Sequence, residues 1–331
     1  MNLEKRLGYL IRYPHGCIEQ TVSSVFPQLY LPNFVELTEE QKDKVQQNIK
    51  AGIERLAKFQ MDNGGFAYWP GANEASAWGS NYAGHFLIEA EKAGYYVRPF
   101  MISEWKRYQN LQAISWTAGS DRAELNQAYR LFTLALSGAP SIGSMNRLRE
   151  SQNLDSAAKW MLATAYHIAG QSDAADDLVS GDSKSVKDYQ ELGNTFGSRL
   201  RDQSIILMGL AKMKKEQEAA DMATKISTQL SSEKSYSTQT TAYALLALAE
   251  YLGTSETADS FEFEFKQADT IVTTVKSSKT ILTKELVDVP MAGESISIKN
   301  TNASKLFVNL VREGVPVAGK ETSNRSGLDV H

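Results

Sequence analysis

The chain has 331 residues, 42% apolar and 22% charged, enough for one large domain plus a small one and for a sizeable core. Its net charge of −4, with no basic stripe, argues against a nucleic-acid partner, and no apolar run approaches the roughly 18–20 residues that span a bilayer. The one cysteine, Cys17, excludes an intramolecular disulfide but leaves the compartment open, because secreted proteins can do without disulfides.

The segment from Met1 to Arg12 carries charges where a signal peptide would be apolar. Residues 1 to about 256 read as helical, with amphipathic stretches separated by turn signals. Thr38 before Glu39-Glu40-Gln41 is an N-cap with an acidic first turn. The spacing of Ile49, Ile53, Leu56 and Ala57 predicts a helix with one buried face, ended by Asn63-Gly64-Gly65. Further helices are predicted near 76–93, 99–113, 121–138, 155–169, 196–213, 215–231 and 238–252. Asp121 and Asp155 are candidate caps, and Gly94, Gly138, Gly170 and Gly253 stand where C-terminal glycines belong. Residues 83–90, 129–136 and 242–249 are apolar on several faces, so they are predicted inner helices covered by more polar outer ones. About twelve helices in alternating roles suggest helical hairpins in a ring or solenoid.

Near residue 257 the period changes. Phe261–Phe265 alternates strictly, and residues 270–275, 280–283, 295–298 and 306–311 also read as strands, with a turn at 300–303. The expected fold is therefore mainly α over residues 1–256, followed by a small antiparallel β unit over 257–331, a sandwich-like segment completed by further sequence. The polar tail ending at His331 looks cut, so the chain reads as a piece of a longer protein.

The chemistry lies near the start. Cys17 and Gln20 are three residues apart, which puts them on one face of a helical turn. A thiolate is a good nucleophile, and the Gln20 carboxamide carbon is its acceptor; attack with loss of ammonia closes a thioester ring. Gly16 permits a tight approach, and Pro14 fixes the backbone leading in. Glu19 is a structural element of the motif or a general base. A bare Cys-x-x-Gln is weak evidence by itself, and a lone cysteine is usually a small buried hydrophobe. His15 reads as a surface histidine or a shield for the bond. Phe66, Tyr68 and Trp69, after the Gly-Gly turn, read as a hydrophobic plug between helices or a water-excluding wall. His85 reads as a satisfied polar group on an inner helix. Asp62 beside Asn63 has no acidic or histidine cluster to make a metal site, so neither metal nor cofactor is expected.

The stretch Tyr13-Pro14-His15-Gly16-Cys17-Ile18-Glu19-Gln20-Thr21 resembles the thioester signature of the alpha-2-macroglobulin and complement family, especially its bacterial branch, where Tyr-Pro-Tyr-Gly-Cys-Leu-Glu-Gln-Thr is typical. The likeness continues through Ser24, Phe26-Pro27 and Leu29-Tyr30-Leu31, then at residues 60–71 and 237–242. Residues 307–316 look like the region that follows this domain in bacterial members. The resemblance implies an α/α toroid, a ring of helical hairpins, and a role in trapping proteases. A protease cuts a bait region of the parent protein, the thioester is exposed, and a lysine amine of the protease captures the Gln20 acyl group while Cys17 leaves as a thiol. This is single-turnover acyl transfer, not enzyme turnover. The implied partners are target proteases and the parent's other domains, and the implied location is the cell envelope, the periplasm or outside the cell.

His15 departs from the Tyr of the bacterial pattern. Some members of the family also use a downstream histidine to direct transfer to hydroxyls. The histidines here are His15, His85, His167 and His331, none of them between residues 105 and 135 where it would stand, so amines are the expected targets. The Gln-x-x-Asn-Gly-Gly-Phe pattern also resembles α/α-toroid enzymes such as terpene cyclases and prenyltransferase β subunits, but fold does not give function. The Asp-rich triad of the first and the zinc site of the second are not visible. The remaining alternative is a structural or interaction module whose thioester never forms.

Overall fold

A computed structural model describes residues 10–301 and 308, except 120–122, 153, 183, 232–235, 255–260, 268–271, 278, 280–281 and 283–294. The chain divides into two compact units: Met1–Ser260 with Ser278–Leu286, and Phe261–Ser277 with Val287–His331.

The first unit is helical. Its helices are α1 (Ile18–Val25), α2 (Leu31–Phe34), α3 (Glu39–Leu56), α4 (Ala77–Lys92), α5 (Pro99–Ser115), α6 (Ala123–Leu136), α7 (Ile142–Arg149), α8 (Ser156–Ile168), α9 (Ser172–Val179), α10 (Arg199–Lys212), α11 (Glu216–Ser231) and α12 (Thr238–Thr254), with a 3-10 turn at Pro27–Leu29. Among the described residues, α1, α4, α6, α8, α10 and α12 form an inner ring: each packs on the next, and α12 packs back on α1. The helices between them, α3, α5, α7, α9 and α11, lie outside and pack on inner neighbours. This is an α/α toroid.

Residue type explains the two layers. On α3 the buried residues are Val45, Asn48, Ile49, Gly52, Ile53 and Leu56, a single stripe. On α4 burial runs continuously from Trp78 to Ile88, because neighbours cover every side. Small residues set how closely they approach. The indole of Trp105 from α5 lies where a Cβ at Gly84 of α4 would stand, and its Nε1 donates to the Ser80 carbonyl at 2.8 Å. The ring is also tied across its ends: Trp78 Nε1 donates to Gln239 Oε1 at 3.0 Å, and Gln239 Nε2 donates to the Thr195 carbonyl at 2.7 Å.

The second unit contains β1 (Phe261–Gln267), β2 (Thr273–Ser277) and β3 (Ile296–Asn300), an antiparallel sheet in the order β2-β1-β3. Phe263 stands opposite Val275 on one side and Asn300 on the other.

Several caps fall where predicted. Thr38 accepts from the Gln41 N–H and Asp155 from the Ala158 N–H, while Gly94, Gly138 and Gly170 have φ of 87°, 77° and 78°. Other boundaries differ. Helix α3 stops at Leu56, well before Asn63, because Gln60 pairs with Phe66 in a short β-bridge around the Asn63–Gly65 turn. Helix α12 continues through Gly253 to Thr254, so that glycine is no stop. Asn300, expected in a turn, is the last residue of β3. The eight-residue α7 and α9 were not predicted. Asp121, the first part of the strand predicted at 270–275, and most of those predicted at 280–283 and 306–311 lie outside the described residues. No helix of the described residues is long and apolar enough to cross a membrane.

Candidate functional site

Cys17 is the N-cap of α1, with extended backbone at φ −71° and ψ 176°. Gln20 is the third residue of the helix, and the two form a capping box: the Gln20 side chain folds back so that its Oε1 accepts from the Cys17 N–H at 3.2 Å. Ser or Thr usually holds the N-cap position of this motif. A thiol there puts sulfur and carboxamide at one helix end by the same local geometry that ordinarily satisfies free N–H groups. Gly16 makes the fold-back possible. It sits at φ +80°, and a Cβ there would overlap the Gln20 carboxamide. Cys17 is 3% exposed whereas Gln20 is exposed, so the cysteine is covered while the residue that carries the carboxamide stands at the surface.

The surrounding elements pin this turn. The Ile18 N–H donates to the Tyr68 carbonyl at 3.1 Å, which draws residues 66–69 against the start of α1. Burial first, and then the neighbouring Cys17 and Glu19, push the pKa of the Tyr68 hydroxyl up. Tyr68 is half-buried, stacks on Phe196 with centroids 6.3 Å apart, and meets Trp69 edge-on. Trp69 itself is 51% exposed, and His15 is exposed.

Beneath the turn, Glu19 is buried. Its carboxylate accepts from Ser23 Oγ at 2.8 Å, and Ser23 Oγ lies 3.2 Å from the Tyr82 hydroxyl. Burial pushes the Glu19 pKa up, against hydrogen bonds from Ser23 and Thr238. On the outer side, Arg55 at the end of α3 donates from Nη2 to the Gly16 carbonyl at 2.8 Å and from Nε to Thr21 Oγ1 at 3.1 Å. Thr21 Oγ1 in turn donates to the His15 carbonyl at 3.3 Å.

The fold thus brings Cys17, Gln20, Gly16, Glu19, Tyr68 and Trp69 together. His85 lies elsewhere in the ring, buried, with Nδ1 3.0 Å from the Tyr129 hydroxyl and the Phe26 and Phe132 rings edge-on to it. Arg55, Thr21, Ser23 and Phe196 were not anticipated as neighbours. Only the Ser237–Ala242 stretch, already singled out, signalled the approach of α12 through Thr238. Among the described residues no cluster of three or more His, Cys, Asp or Glu side chains could hold a metal ion.

Residues 1–124 match the family model of the A-macroglobulin TED domain. The alpha-2-macroglobulin of Escherichia coli (strain K12) is 28% identical over 233 residues, covering 65% of this chain and 14% of that protein. That of Xylella fastidiosa (strain Temecula1) is 24% identical over 226 residues, covering 61% of this chain and 14% of that protein. The chain therefore spans only a small part of these relatives. Among solved structures, Salmonella alpha-2-macroglobulin reacted with methylamine aligns with a TM-score of 0.69 at 24% identity, over 84% of this chain and 19% of that one. Native Escherichia coli alpha-2-macroglobulin, from domain MG7 to the C-terminus, aligns with a TM-score of 0.68 at 22% identity, over 91% of this chain and 46% of that one. At these identities the structural likeness speaks for the fold. The sequence match speaks for a thioester domain of the bacterial alpha-2-macroglobulin type.

Proposed function

We propose that this chain is the thioester-bearing part of a larger bacterial protease trap, and that Cys17 and Gln20 form the bond through which it captures a target. The observation that carries the reading is the fold-back of the Gln20 carboxamide onto Cys17 beside a glycine that leaves room for it. In closure, Cys17 Sγ attacks Gln20 Cδ, the C–N bond breaks, and the amide nitrogen leaves as ammonia with the thiol proton. In capture, an amine attacks the same carbon, the C–S bond breaks, and Cys17 leaves as a thiol once the amine proton passes to it. Gln20 is exposed and Cys17 is buried, so an amine approaches the acyl carbon from the Gln20 side.

The comparisons support the reading in outline. A Salmonella relative was crystallised after reaction with methylamine, and an Escherichia coli relative as the trypsin-activated form. Both fit a chain whose acyl group is taken by amines in response to proteolysis. The parent's target would be a protease presenting lysine amines, its site of action the bacterial envelope or beyond, and its reaction a single turnover.

Intact-mass measurement of the chain tests this. The thioester form is lighter than the encoded sequence by one ammonia. Methylamine should convert it to the Gln20 methylamide and release one titratable thiol. Cys17→Ala and Gln20→Ala should each keep the encoded mass and take up no methylamine. A wild-type chain at its encoded mass, with a free thiol and no methylamine uptake, would favour the structural module instead.

A further inference from the structure

We infer that Arg55 is a positioning residue for the thioester: its guanidinium holds the Gly16–Cys17 backbone where the sulfur meets the Gln20 carboxamide. This rests on the reading of Cys17 and Gln20 above. Gly16 has the conformation closure needs, but a glycine has no side chain to hold it there and moves more freely than any other residue. Upstream the chain is held at the buried Pro14 and at the Arg12 carbonyl, which accepts from Gln28 Nε2 at 2.8 Å, but Tyr13 is 67% exposed and His15, next to Gly16, is exposed. The carbonyls of His15 and Gly16 are instead fastened from outside. Arg55 takes the Gly16 carbonyl directly, and takes Thr21 Oγ1, which itself donates to the His15 carbonyl.

One planar group thus fixes two successive peptide units of the loop against α1 and α3. The fork is itself held. Arg55 Cζ lies 5.5 Å from the ring centroid of Phe59, a buried side chain, and Arg55 stands in the last turn of α3, where a cation is favoured. A lysine has one ammonium and cannot place two donors at fixed separation. Intramolecular acyl transfer depends steeply on placement: a misplacement of about 1 Å can cost on the order of a hundredfold in rate. The expected role is therefore in closure and not in general stability.

Wild type, Arg55→Met and Arg55→Lys are compared in the full 331-residue chain by intact mass, by the rate of thiol release with methylamine, and by thermal melting. The wild type should carry the ammonia-loss mass. Arg55→Met should melt cooperatively with the same helical content, yet contain at least about tenfold less of the closed form. Arg55→Lys should fall short of wild type although it keeps the charge and the stem over Phe59. A closed fraction and methylamine rate within about twofold of wild type in a folded variant would overturn the inference while leaving the thioester in place. If Arg55→Met does not fold, Arg55→Lys decides on the same measures. A wild type at its encoded mass would instead sink the thioester reading, and the role of Arg55 with it.

Discussion

At the scale of single residues, the site is an ordinary helix start put to unusual use. A capping box needs an acceptor at the N-cap and a long polar side chain three residues on, and Cys17 and Gln20 meet both needs with groups that can react. The difference from a Ser/Glu box is chemical, and the backbone hardly registers it. Gly16 is where chemistry and backbone meet. In Gly16→Ala a left-handed L residue costs about 1–2 kcal/mol, and the new methyl displaces the Gln20 carboxamide. Gln20 is exposed, so it can swing outward without unfolding anything. Gly16→Ala should therefore lose closure, keeping its encoded mass, while unfolding free energy drops by no more than about 1–2 kcal/mol. A closed thioester in this variant would show that the overlap is relieved without moving the carboxamide away.

At the scale of helices, α4 shows what burial on every side does to a titratable group. His85 points among Phe26, Phe132 and Tyr129, and burial lowers its pKa to about 3 from 6.5. The folded chain then binds fewer protons at His85 than the unfolded chain does. Its contribution is fully present above pH 6.5 and drains away as pH falls toward 3, by up to about 1.4 kcal/mol per unit. Urea midpoints across that interval should fall less steeply in His85→Gln, which keeps a polar partner for Tyr129; an unchanged slope would place the acid sensitivity elsewhere. The nearly all-round apolar pattern that covers His85 is also what made the inner helices legible in sequence. Helices α7 and α9, eight residues each, are too short for a period to show, and α3 ended early because a β-bridge between Gln60 and Phe66 competed with it. The reactive turn was legible for the opposite reason, being wholly local. Its supports were not: Arg55 meets Gly16 across 39 positions, and no local spacing announces such a pair.

At the scale of the whole helical unit, the ring has to meet itself, and much of that join is polar. Arg201 of α10 is fully buried. It donates to Asp202 Oδ1 at 2.6 Å, to the Thr195 carbonyl at 3.1 Å and to the Tyr189 hydroxyl at 3.2 Å, with its guanidinium 4.7 Å from the ring centroid of Trp78 on α4. Burial pushes the Asp202 carboxyl up even against the pull of Arg201, so the pair is costly to leave half made. Arg201→Met strands that carboxyl and removes one of the holds on the 189–197 loop, for a loss of about 3–5 kcal/mol by chemical denaturation. Arg201→Met with Asp202→Asn should recover part of it, because no charge is then buried alone. The same loop presents Phe196, stacked on Tyr68 beside Cys17. If the thioester is closed, Arg201→Met should also hydrolyse faster than wild type under conditions where both remain folded, read as the return of mass and of a free thiol. Equal hydrolysis rates would confine Arg201 to stability. A faster rate would mean that the ring's join also helps keep water from the bond.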